Sequence, residues 1–140
     1  MLRQEQIYEV EKLFRNVFRK MRQELNNTLG DEVNINEFIV LKTLYSSSEP
    51  LKASSISKEL KVSASHITTV TDSLVKKGFI SRIRSEKDRR IVEMALTGAG
   101  ELLVKALEEK KSDYLRSKFN SFSEQELDHF IRLFRKLNDD

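Results

Sequence analysis

The sequence predicts a mostly α chain with one small β-hairpin, and three patterns in it point that way. Apolar residues recur at steps of three and four over long stretches at both ends, and only four Gly and one Pro stand in 140 residues to interrupt helices. Two short amphipathic segments lie between them, joined by a tight turn. Two β-rich runs follow, Phe79–Arg84 and Ile91–Leu96, separated by the charged stretch SEKDRR. The length is that of one domain, so residues 1–140 are expected to form a single unit.

In chain order, Ile7, Val10, Phe14, Val17, Phe18, Met21 and Leu25 stripe one helix from Gln4 to Leu29. Positions 7, 10, 14, 17 and 21 keep a 3.5-residue seam, which suits packing along another helix, in the same chain or in a second copy. Gly30 and Asp31 end it. Asn34 is a good N-cap, Glu37 completes a capping box and Val33 with Phe38 a hydrophobic staple; Phe38, Leu41, Leu44 and Tyr45 form that helix's expected buried face. Ser46–Pro50 reads as a plain turn.

A short helix from Ala53 to Leu60 follows, with Ser54 offered as its cap because Lys52 lacks a suitable oxygen. After the turn at Val62, Ser63 caps a second helix whose core face is Ile67, Val70 and Leu74. Two short helices about a tight turn make a helix-turn-helix, the second being the candidate reader. Gly78 closes it, and the hairpin with its exposed SEKDRR tip makes the wing. Thr97 caps a helix from Gly98 to about Phe119 carrying Leu102, Leu103, Ala106, Leu107, Tyr114 and Leu115. Ser123 with Glu126 forms a second capping box, with Phe122 and Leu127 as staple. The last helix is expected to bury Leu127, Phe130, Ile131, Phe134 and Leu137.

The chain carries a net charge of +3, which decides little, but its distribution says more. From Lys52 to Arg90 ten Lys/Arg stand against four Asp/Glu, a net +6, leaving −3 for the remainder. Positive charge gathered in the middle third is what a phosphate-facing surface needs. The absence of cysteine excludes disulfides, thiolate metal sites and thiol oxidation as a switch. MLRQEQIYEV has no apolar signal region and no stretch of about 18 apolar residues occurs, so a cytoplasmic protein without membrane contact is expected. No catalytic, cofactor or metal motif is visible: the two histidines, His66 and His129, are far apart, and there is no HExxH, phosphate loop or nucleophile elbow.

Ser63, Ser65, His66, Thr68, Thr69 and Ser73 lie on the second helix away from its core face and are candidate groove contacts. In an extended hairpin tip Asp88 and Arg90 share a face, so the carboxylate can orient the guanidinium for a narrow, electronegative minor groove. Lys76, Lys77, Arg82, Arg84 and Arg89 are candidate phosphate contacts.

The stretch LKASSISKELKVSASHITTVTDSLVKKGFISR, the wing motif Asp88-Arg89-Arg90 and the following LTGAGELL resemble the MarR (multiple antibiotic resistance regulator) family of transcription factors. The resemblance spans nearly the whole chain and is strongest from Asn34 to Leu103. It implies a winged helix-turn-helix DNA-binding lobe over residues 32–97, with residues 1–31 and 98–140 as a helical dimerisation region. It also implies a homodimeric repressor on palindromic double-stranded DNA, with recognition helices in successive major grooves and wings in the minor groove. A small phenolic or lipophilic effector would modulate it. Members often carry arginine where this chain has Thr69 and Ser73, and a proline where it has Lys87, so base preference here is expected to lean on thymine methyls, hydroxyls and DNA shape. The competing expectation is a winged-helix protein-interaction module that does not bind DNA.

Overall fold

The computed structural model describes residues 2–138, and the elements run α1 (Arg3–Leu29), α2 (Ile35–Ser46), β1 (Leu51–Lys52), α3 (Ala53–Leu60), α4 (Ala64–Lys76), β2 (Ile80–Arg84), β3 (Val92–Leu96), α5 (Gly98–Lys118) and α6 (Glu124–Leu137). The chain is mostly helical with one small antiparallel sheet, as the periodicities require. Four of the five caps read from oxygen-bearing residues form. Asn34, Ser63, Thr97 and Ser123 each accept a backbone N–H of the helix they open, and Glu37 and Glu126 close the two capping boxes.

The sheet has one strand more than the hairpin. Leu51 and Lys52 pair with Met94 and Glu93, so the strand order is β1-β3-β2, with β3 central. A two-residue strand has no room to show alternation, and residues 46–50 read as a turn hide it. This strand also replaces the cap expected at Ser54. Lys52 holds extended backbone in the sheet and the helix starts directly after it, with no side-chain bond at its cap.

The core lies where α2 packs on α4, α5 and the sheet, joining Leu29, Val33, Phe38, Leu41, Ile56, Ile67, Leu74, Ile80, Met94, Val104 and Leu107. Burying a residue such as Leu41, fully inaccessible here, contributes about 1.5–3 kcal/mol. Tyr45, read as part of α2's buried face, is 41% exposed, while Leu44 beside it stays buried.

Apart from the end of α1, where Leu29 is in the core and Leu25 packs on it, α1 and α6 do not share this core. α6 buries none of its residues: Phe130, Ile131, Phe134 and Leu137, all expected inside, are exposed within one chain. Phe130 and Phe134 join an aromatic cluster with Phe14, Phe119 and Phe122, at centroid distances of 5.4–6.1 Å. Ile7, Val10, Leu13, Val17 and Phe18 of α1 are likewise exposed. Between α1, α5 and α6 runs an apolar groove of about 640 Å³. No helix among the described residues is long and apolar enough to cross a membrane.

Candidate nucleic-acid interface

The turn between α3 and α4 is held by Ser57, whose hydroxyl donates to Val62 O at 2.6 Å, while Val62 N–H returns to Ser57 O at 3.1 Å. Lys61 takes the left-handed conformation there, φ 56° and ψ 44°, at a position where glycine or asparagine is usual. Sequence reading has no cue for it. At the far end of α4, Gly78 has φ +82° and Phe79 N–H bonds back to Leu74 O at 3.0 Å, a closure that lets the chain leave the helix directly into β2.

On α4, Ile67, Val70, Thr71 and Leu74 face the core. Ser63, Ser65, Thr68, Thr69 and Lys76 are exposed and adjacent, and His66 is half-buried at the edge of that face. Ser73 stands apart from them. It is half-buried, and its hydroxyl donates to Glu37 Oε2 at 2.7 Å, so it is turned towards α2 and away from the exposed face. Lys77, read as a phosphate contact, does the same work: its ammonium donates to both carboxylate oxygens of Glu37 (3.0 and 2.9 Å) and to Glu32 O. The periodicity of α4 says which positions miss its own core face; it says nothing of a buried acid 36 residues earlier.

Glu37 is thus a hub that sequence reading saw only as half of a capping box. Burial pushes its carboxyl up, and hydrogen bonds from Lys77, from the Asn34 N–H and from Ser73 outweigh burial and hold it below the usual carboxylate value. The ion pair joins the start of α2 to the end of α4 and sets where the exposed face of α4 points.

The wing is organised at its tip. Ser85 is buried; its N–H donates to Ile91 O and its hydroxyl accepts from the N–H groups of Lys87 and Asp88. Arg84 donates to Arg89 O at 2.9 Å, bracing the two arms. Asp88 receives Arg90 in a fork, Nε to Oδ1 and Nη2 to Oδ2 at 3.0 Å each, and Arg90's side chain remains 90% exposed. Hydrogen bonds from Arg90 hold the Asp88 carboxyl below its ordinary value. The pairing of 88 with 90 is present as a bidentate contact, but the tip is a turn and not the extended strand read from the spacing: Ile91 N–H donates to Asp88 O, and Arg90 N–H to Asp88 Oδ1.

Arg82 of β2 is paired with Asp72 on α4, a residue the sequence reading passed over. Its signal was available, since position 72 follows 65, 68 and 69 on the same helical face. This pair links the wing's first strand to the exposed face of α4. Arg89, Arg90 and Lys76 are left as outward cations on either side of it.

A family model described as the MarR family matches residues 33–92. The chain is 43% identical over 137 residues to YpoP of Bacillus subtilis (strain 168), called an uncharacterized HTH-type transcriptional regulator, covering 98% of this chain and 96% of that one. Among solved structures it is similar to a MarR family protein from Bacillus stearothermophilus, with TM-score 0.82 and 25% identity over 99% of this chain and 97% of the other. Streptococcus pneumoniae FabT, solved in complex with DNA, matches with TM-score 0.76 and 26% identity, covering 95% and 98%.

Proposed function

The chain belongs to the MarR family, and from that premise we propose that it is a DNA-binding transcriptional regulator, a repressor acting as a homodimer on palindromic operator DNA. The observation that carries the reading is the Asp88–Arg90 fork, which presents a pre-oriented guanidinium at the exposed tip of the wing. An arginine held extended in this way loses little side-chain freedom on entering a minor groove, while α4 enters the adjacent major groove. Two copies about 34 Å apart are needed to engage successive major grooves, and the open apolar faces of α1 and α6 supply a surface to join them. The other partner is a small phenolic or lipophilic effector. It would act by favouring a separation of the two α4 helices that misses successive grooves, weakening binding by its differential affinity for the two states.

Selection of bound duplexes from a random pool, followed by titration at several salt concentrations, tests this. The expected result is a palindromic site whose log affinity falls steeply with log salt. Arg90→Ala should cost roughly tenfold or more in affinity for that site at physiological salt with α4-directed base preference retained. Failure to retain any duplex at any salt would return the winged helix to the protein-interaction reading.

A further inference from the structure

The exposed face of α4 carries an unusual set of groups for a DNA reader. From Ala64 to Lys76 it has no arginine, asparagine or glutamine, the side chains that read guanine and adenine bidentately. Its outward positions are Ser65, Thr68, Thr69 and Asp72, with Lys76 a full turn further on. Thr68 Oγ1 donates its proton to Ala64 O, and Thr69 Oγ1 donates to Ser65 O, each at 3.0 Å. Both hydroxyls have spent their only donor inside the helix. What they show to the outside is an acceptor lone pair and a γ-methyl group.

Asp72 adds a carboxylate, which has acceptors only. Bare, it would be repelled by the phosphates on either side of a groove. Arg82, reaching across from β2, pairs with Oδ1 and offsets that repulsion, while more than half of the Asp72 side chain stays exposed. The wing strand therefore makes an acid on the reading face compatible with DNA.

We propose that α4 reads A·T pairs through the acceptors and methyl groups of its central positions, with Asp72, held by Arg82, as a base-reading residue beside Thr68 and Thr69. The argument rests on the DNA-binding reading above. In the major groove the adenine N6 amino group is a donor for these oxygens, and the thymine 5-methyl is an apolar partner for the threonine methyls. One A·T pair supplies both. Guanine presents only acceptors there, O6 and N7, and meets no donor at Thr68, Thr69 or Asp72; the cytosine N4 amino group is a donor, but a C·G pair has no methyl for the two threonines.

The test changes single groups on DNA, using the wild-type protein and its own selected duplex. Thymines are replaced one at a time by uracil, adenines by the purine lacking the 6-amino group, and guanines by 7-deazaguanine. Loss of a contacting methyl should weaken binding roughly fourfold. Loss of a contacting amino group should weaken it roughly three- to tenfold. Replacement by 7-deazaguanine should change nothing anywhere in the half-site. Thr68→Ser or Thr69→Ser, which removes only a methyl, should abolish the uracil effect at one position. Asp72→Ala, which removes both carboxylate acceptors, should flatten the loss at the amino-deleted position. Weakening by 7-deazaguanine, or indifference to both uracil and amino deletion, overturns the proposal while DNA binding stands. A protein that retains no duplex overturns both.

Discussion

Glu37 shows how much one side chain decides. Its carboxylate accepts from the Asn34 N–H, from Ser73 and from Lys77, so one buried acid both starts α2 and anchors the end of α4. Because its folded pKa lies below the ordinary value, its contribution is present above the unfolded pKa and is lost as pH falls through the folded one. Glu37→Gln should therefore cost about 1.5–3 kcal/mol at neutral pH, and the gap from wild type should narrow as pH drops below about 4. Denaturant unfolding of both proteins across that range measures it; a gap that widened on acidification would contradict the assignment. The capping half of this role was legible from Asn34 and Glu37 three residues apart. The other half was not, because Ser73 and Lys77 on a helix face look the same whether water or a distant carboxylate receives them.

Among the elements, α4, the sheet and α5 meet at a joint closed by hydrogen bonds. Thr97 N–H donates to Phe79 O at 3.1 Å and its hydroxyl to Gly78 O at 2.7 Å, tying the start of α5 to the end of α4. Gly100 packs on that same carbonyl, and a Cβ there would collide with Phe79 O and press on Leu96. Gly98, two residues away, faces open space. Gly100→Ala should lower stability by about 1–3 kcal/mol through overpacking. Gly98→Ala should be neutral or stabilising by up to about 1 kcal/mol, because it only restricts the unfolded chain. Thermal unfolding of the two variants separates them, and equal behaviour would mean the close approach does not hold. In the sequence LTGAGELL the two glycines are indistinguishable; only the carbonyl of Phe79 tells them apart.

For the molecule as a whole, the terminal helices are apolar-striped and left open, with Phe18 57% exposed on α1. α1 and α5 are joined within the chain by Glu24, which accepts from Tyr114 at 2.7 Å and Lys118 at 2.8 Å. Burial and the Glu24 bond push the Tyr114 hydroxyl up to about 12, so it remains a donor at any physiological pH. The open face is what a second copy would cover. Phe18→Glu should therefore give a monomer by sedimentation, with helix content kept because Phe18 lies outside the buried core. DNA affinity should fall by roughly 10²-fold or more as the second half-site is lost. A variant that stayed dimeric and bound normally would place the dimer contact elsewhere.

The sequence by itself determined the order of the six helices and the hairpin, the caps at Asn34, Ser63, Thr97 and Ser123, the helix-turn-helix with its wing, and the candidate face of α4. All of these are local. Side-chain period, capping chemistry and turn residues act over three or four positions, so they are readable without knowing what lies across space. Tertiary structure decided what each outward residue meets. Ser73 and Lys77 turn to Glu37, Arg82 turns to Asp72, β1 joins the sheet, and α6 lies open instead of buried. Those outcomes depend on partners ten or more residues away, and no local pattern encodes the distance between them.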